Sequence, residues 1–255
     1  MEIQSSKEQK RKLITKSISQ LEWLDWHEIV NDVIQGEPVL VTYCPLCGSG
    51  IAYVSEIIID GKKQVSEFGT SGKLYNSNLV MYDRKTDSLW SQVLAEAVVG
   101  EMTGAKLKII SSDQMRYQNW KEQFPQGEVL SRDTGVFKQY GEKPYGDYFQ
   151  TIPFALSLAG VNDGRLTPEE FVFGVIVNGK AKAYLVNAVK EEGVVEDTFE
   201  GENFVLTHDK KLDVVRMTRM LEDGLKERVN PVSGFWFSWA AAHPETQLYS
   251  SRRFK

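Results

Sequence analysis

The stretch GEPVLVTYC, residues 36–44, opens on Gly-Glu and runs into VLVTY, five residues that are apolar or β-branched without a break. A short continuous run of this kind reads as a strand buried on both faces. The same opening returns 165 positions later as GENFVLTHD, residues 201–209. A second match follows in the same order, WKEQFPQGEVLS from Trp120 against WAAAHPETQLYS from Trp239, at an offset of 119. The expectation is an internal duplication: a first half over residues 20–150 and a second, degenerate one over 151–255. The fall in offset puts about 46 extra residues in the first half, between the strand and the Trp segment.

Local patterns supply elements for each half. Trp23, Trp26, His27, Val30 and Ile34 fall at the spacing of one helical face, and Tyr117, Trp120 and Phe124 form a second stripe behind a Ser111/Gln114 capping-box spacing. Asp60-Gly61 and Asn178-Gly179 lie between apolar runs and read as tight hairpin turns. LVMYD and SLWSQ flank the polar RKTD as a third hairpin. The expected fold is strand-rich α+β in two related halves, the first carrying an inserted hairpin region.

Composition narrows the classes of partner. A chain of 255 residues with 42% hydrophobic content can bury a sizeable core. Its formal net charge of -5, with both signs spread along the chain, leaves no basic stripe for a phosphate backbone, so nucleic acid is not expected. No apolar run approaches the roughly 20 residues that span a bilayer. The start MEIQSSKEQKRKL lacks the apolar core of a secretion signal, so the chain as written reads as cytoplasmic.

The two cysteines, Cys44 and Cys47, stand at C-x-x-C spacing in CPLCG at the end of the first strand. That form matches a metal knuckle, in which backbone amides point at the thiolate sulfurs. A second knuckle would need further cysteines, and there are none. His27 lies shortly before the strand that delivers the thiols, and with Met81 as a soft fourth ligand it completes a set suited to Cu(I) or Zn(II), and less to iron. The second stretch carries Glu192, Asp209 and Leu212 where the first carries His27, Cys44 and Cys47, so all three differ together. The competing structural reading has two small buried thiols and a satisfied core histidine. A dithiol–disulfide couple is a further alternative, although no helix follows the motif to lower a thiol pKa.

A third class of site rests on the insertion GTSGKLYNSNLVMYDRKTDSLWSQ, residues 69–92. Lys73, Tyr75, Asn76, Asn78, Asp83 and Arg84 are directed hydrogen-bonding groups suited to a small-molecule ligand or substrate, and Arg132 and Asp133 in SRDTG are candidates for a clamp. Against this stands a Gly-Ser loop followed by an ordinary hairpin, with the cations solvated and Arg132–Asp133 an internal salt bridge. GTSGK lacks the first glycine of a phosphate loop.

WHEIVND, VTYCPLCGSGIAY, GTSGKLYNSNLVMYDR, SLWSQ, SRDTG and FWFSWAAAHPET, in this order from about Trp23 to the end, resemble the bacterial and archaeal family catalogued as domain of unknown function 3179. The resemblance implies kinship and no reaction. It also implies that relatives are often exported or lipid-anchored, so the alternative to a cytoplasmic chain is a truncated form of an exported one. The hairpin FVFGVIVNGKAKAYL precedes the helix region of the second half, and a charged segment, MEIQSSKEQKRKLITKSIS, stands at that place in the first. A missing strand pair leaves an open sheet edge, which invites a homodimer.

Overall fold

The computed structural model describes residues 17–18, 21–131, 133, 135–140, 142, 144–145 and 163–249. From the N-terminal side run β1 (Ser17–Ile18), α1 (Leu21–His27), β2 (Ile29–Ile34), β3 (Glu37–Cys44), β4 (Ser49–Val54), β5 (Glu56–Ile59) and β6 (Lys62–Val65). Then come β7 (Phe68–Tyr75), β8 (Asn78–Asp83), β9 (Leu89–Ser91), β10 (Glu96–Val99), β11 (Ile109–Ile110), α2 (Tyr117–Gln123) and β12 (Glu128–Val129). After these follow β13 (Phe171–Val177), β14 (Lys180–Leu185), α3 (Val186–Glu192), β15 (Val194–Phe199), β16 (Glu202–Asp209) and β17 (Val214–Met220). The last described elements are β18 (Lys226–Arg228), β19 (Val232–Phe235), α4 (Trp236–Ala242) and β20 (Gln247–Tyr249).

These elements correct the expected α+β fold in two halves. Strand makes up 48% and helix 13%, and the architecture is mostly β, four small sheets in a propeller-like ring of four blades. The sheets have strand orders β11-β4-β3-β2, β10-β9-β8-β7, β19-β13-β14-β20 and β15-β16-β17-β18, with two-stranded pairs β1-β12 and β5-β6 beside them. The apolar stripes that suggested substantial helices belong to short ones, for each of the four helices among the described residues has seven residues. The extra residues of the first part build a whole blade, β7 to β10, and not one added hairpin. The two opening stretches mark equivalent strands in two of the blades: β3 lies between β2 and β4 as β16 lies between β15 and β17, with the same antiparallel pairing.

Turn chemistry decides where strands reverse. Asp60 (φ 50°) and Gly61 (φ 71°) join β5 to β6, and Asn178 (φ 51°) and Gly179 (φ 79°) join β13 to β14, as the residue pairs require. The helical face read over Trp23–Ile34 is cut short after His27. Glu28 turns left-handed (φ 58°) with its N–H returning to the Leu24 carbonyl at 2.8 Å, which closes the helix and sends Val30 and Ile34 into a strand. The capping box also fails: α2 begins at Tyr117, has no side-chain cap, and Gln114 Nε2 donates to the Gly48 carbonyl.

Alternation along β3 divides the molecule into two environments. Leu40 and Cys44 point into the main apolar core with Ile51, Tyr53, Met81, Trp90 and Trp236. Within that region a buried polar knot joins three blades. Gln92 Nε2 donates to Thr42 Oγ1 (2.9 Å), Ser49 Oγ donates to Gln92 Oε1 (2.7 Å), and Asn78 Nδ2 reaches Ser49 Oγ (3.2 Å) and Ser238 Oγ (3.4 Å). Each member is partnered, so the knot fixes how the sheets meet. The other face of β3, with Val39, Val41 and Tyr43, looks onto a cleft.

Candidate functional site

The CPLCG turn links β3 to β4 and delivers both thiols into the core, Cys44 2% and Cys47 0% exposed and both unoxidised. The backbone N–H groups of Leu79 and Cys47 point at the Cys44 sulfur, its thiol contacts Cys47, and Cys47 Sγ donates to the Ser77 carbonyl at 2.8 Å. Burial first, and the neighbouring Cys47 second, push the Cys44 thiol well above its usual pKa, so it stands protonated.

Met81 is fully buried in the same apolar cluster as both cysteines. His27 is engaged elsewhere: its Nε2 lies 2.6 Å from the Tyr140 hydroxyl, and burial, with Lys138 nearby, lowers its pKa. Among the described residues no group of three or more His, Cys, Asp and Glu side chains stands where it could hold a metal ion.

The polar insertion separates into two populations. Lys73, Tyr75, Asn76 and Arg84 are exposed, Arg84 lying over the Tyr82 ring and beside Glu67 at 3.8 Å. Asn78 and Asp83 are fully buried. Asp83 organises its own turn, accepting from the Lys85 and Thr86 N–H groups, the Thr86 hydroxyl and the Trp90 indole at 3.0 Å. These six residues therefore do not converge on one surface. Asp133 is exposed with its N–H on Ser131 Oγ, and Arg132 lies outside the described residues.

A concave site forms where the sequence did not mark one. The outer face of β2, β3 and β4, with α2 and the loops around β11 and β18, encloses a cleft of about 420 Å³. Its apolar walls include Val30, Ile34, Val41, Ala52, Trp120 and Leu130, and polar residues line much of the rest. Asp113, with a side chain only 5% exposed, holds one end: its Oδ2 accepts from Arg216 Nε (3.0 Å) and Nη2 (2.8 Å), and its Oδ1 from Arg228. Ser111 Oγ and Asn230 Oδ1 are buried polar atoms without a hydrogen-bond partner among the described residues. Asp32, exposed on β2, lines the cleft, and its Oδ1 accepts the Val33 N–H at 2.6 Å.

The equivalent face of β15, β16 and β17 is filled. Val195, Phe199, Phe204, Leu206, Val215 and Met217 pack there under Val175 and Tyr184, which come from β13 and β14. Lys182 Nζ and the Tyr184 hydroxyl both meet the Asp197 carboxylate, at 2.5 and 2.8 Å. β14 pairs parallel with β20, Lys182 opposite Gln247, just as β1 pairs with β12, Ser17 opposite Glu128. Ser17 thus holds the register position of Lys182. Val175, Tyr184 and Lys182 thus plug the face of that blade.

No curated protein and no solved structure shows a significant match to this chain. Among the described residues no helix is long and apolar enough to cross a membrane. One family model matches, over residues 17–246, and it spans the buried thiols, the polar knot and the cleft alike. The chain belongs to the family described as protein of unknown function, DUF3179.

Proposed function

We propose that the chain is a binding protein for a small organic ligand and that the cleft on the outer face of β2, β3 and β4 is its site. The observation that carries this reading is the cleft itself: about 420 Å³, with aliphatic and indole walls and two buried polar atoms that have no partner among the described residues at its edge. Sites for small molecules have this size and combine apolar walls with placed polar groups. Asp113, clamped between Arg216 and Arg228, keeps one wall rigid. The test is titration with the neutral fluorescent probe N-phenyl-1-naphthylamine. Saturable binding at one site per chain is expected in the wild type, with at least tenfold weaker binding in Ala52→Met, which extends a side chain from the cleft wall. Absence of saturable binding, or equal binding in the variant, contradicts the reading.

The buried thiol pair supports a second reading, a soft-metal site. The two N–H groups aimed at the Cys44 sulfur favour its thiolate, and a pair of thiolates with a nearby thioether suits Cu(I) better than Zn(II), which takes four ligands. Both thiols lose their protons on binding, so affinity falls as pH falls. Competition against bathocuproine disulfonate measures it: Cys47→Ser is expected to abolish Cu(I) binding and His27→Ala to leave it unchanged. A reversible disulfide with no Cu(I) retention would favour the dithiol alternative instead. Homodimer formation is a further expectation, tested by sedimentation at micromolar concentration. Asn31 already bridges the β2 edge to β7 through both amide atoms and Phe68.

A further inference from the structure

Resting on the reading of the cleft as a ligand site, the chemical class of the ligand follows from what fills the equivalent space in the other blade. There the space holds a phenol ring and an ammonium group, from Tyr184 and Lys182, and the ammonium meets the carboxylate of Asp197 at 2.5 Å. The carboxylate has a counterpart across the cleft. Asp32 stands on β2 where Asp197 stands on β15, each the fourth residue of its strand and each opposite the third residue of the next strand, Val39 and Phe204 respectively at the paired or adjacent position.

Among the described residues the cation has no such counterpart. Ser17 replaces Lys182 in the register, and among the described residues no ion pair engages Asp32. The other acidic groups lining the cleft are already committed, Asp113 to Arg216 and Arg228, and Glu227 to Arg219. The hollow therefore keeps the anionic half of a recognition pair, together with the apolar walls that receive a ring. Trp120, which lines it, adds an indole surface to those walls.

We infer that the cleft takes a small aromatic amine, its ring between the walls formed by Val41, Ala52 and Trp120 and its ammonium at Asp32. The carboxylate is exposed, so the charge contributes modestly and is screened by salt, while apolar contact supplies most of the affinity. The experiment is isothermal titration calorimetry of the full chain with three probes that share one ring: tyramine, p-cresol and 3-(4-hydroxyphenyl)propionate. Tyramine is expected to bind about threefold to tenfold more tightly than p-cresol at low ionic strength, with the carboxylate probe weakest. In Asp32→Asn, whose thermal melting should match the wild type, tyramine falls to the level of p-cresol while p-cresol is unchanged. If p-cresol binds as well as tyramine, or if the preference survives in Asp32→Asn, the amine assignment is wrong and the cleft remains a ligand site. If none of the three binds, both the amine and the cleft reading fall.

Discussion

Two blades of this protein present the same face and finish it differently. On β15, β16 and β17 the face is closed by Val175, Tyr184 and the Lys182–Asp197 ion pair. On β2, β3 and β4 it is left open as a cleft of about 420 Å³. The strands obey the same pairing rules in both, so the difference does not lie in the sheets. It lies in what packs against them: Val175, Tyr184 and Lys182 cover one face, and among the described residues no such group covers the other. A binding site can arise in a β architecture by leaving out side chains, with no new loop and no new catalytic group.

The comparison breaks most readily from the filled side. Tyr184→Ala should cost about 3–5 kcal/mol, because a fully buried ring is removed from the second core and Asp197 loses a donor. Urea unfolding measures it, and a loss under about 1 kcal/mol would mean that the second blade is not held by this plug. Next in size is Asp197→Ala, which leaves the Lys182 ammonium, 11% exposed, without its partner and should cost about 3 kcal/mol. The matching Asp32→Ala should stay within about 0.5 kcal/mol of wild type, as an exposed residue with no ion pair among the described residues. Equal losses at the two positions would erase the distinction between the blades.

Smaller effects sharpen it. Ala52 stands where the filled blade has Met217, so Ala52→Met should stabilise by about 0.5–1 kcal/mol by occupying empty space while it removes ligand binding. Destabilisation there would show that the cleft is tighter than it looks. The pH response should come from His243, its ring tilted against Trp239 at 4.2 Å and its pKa pushed down to about 4 by burial. A histidine with a lowered folded pKa leaves stability intact above its unfolded value near 6.5. Stability should then be lost as pH falls from there towards about 4, since the unfolded chain takes up the proton first. His243→Gln should flatten that part of the melting-temperature profile, and an unchanged slope would assign it to the carboxylates.

What could be read in the sequence follows from what each feature depends on. Asn178-Gly179 and Asp60-Gly61 name their turns because two consecutive left-handed residues leave few choices, and both hairpins are present. The strand of VLVTY was legible from its unbroken apolar run. The long first helix was not: Val30 and Ile34 keep a helical spacing, but Glu28 adopts a left-handed conformation where the other blade has Gly193, and glutamate gives no warning of it. Counting Trp stripes as substantial helices produced the α+β expectation, because spacing alone does not say that a helix ends after seven residues. The thiols were rightly placed together, whereas His27 was drawn to Tyr140 by a contact 113 positions away in the chain. The polar insertion looked convergent because residue type does not report burial; β8 is covered along almost its whole length, which buries Asn78 and Asp83, while the end of β7 leaves Lys73 and Tyr75 exposed and Arg84 stands exposed after β8. The cleft left no positive mark, since its apolar walls are the ordinary residues of strands and a short helix.

The account turns on the open blade being the one that binds. Methyl NMR of the full chain, labelled at Ile, Leu, Val and Ala and titrated with tyramine, tests this most directly. Saturable shifts are predicted for Val30, Ile34, Val41, Ala52 and Leu130, with none at Val195, Leu206 and Val215 on the filled face. Shifts confined to other surfaces, shifts of similar size on both blades, or no shift at millimolar ligand would contradict it.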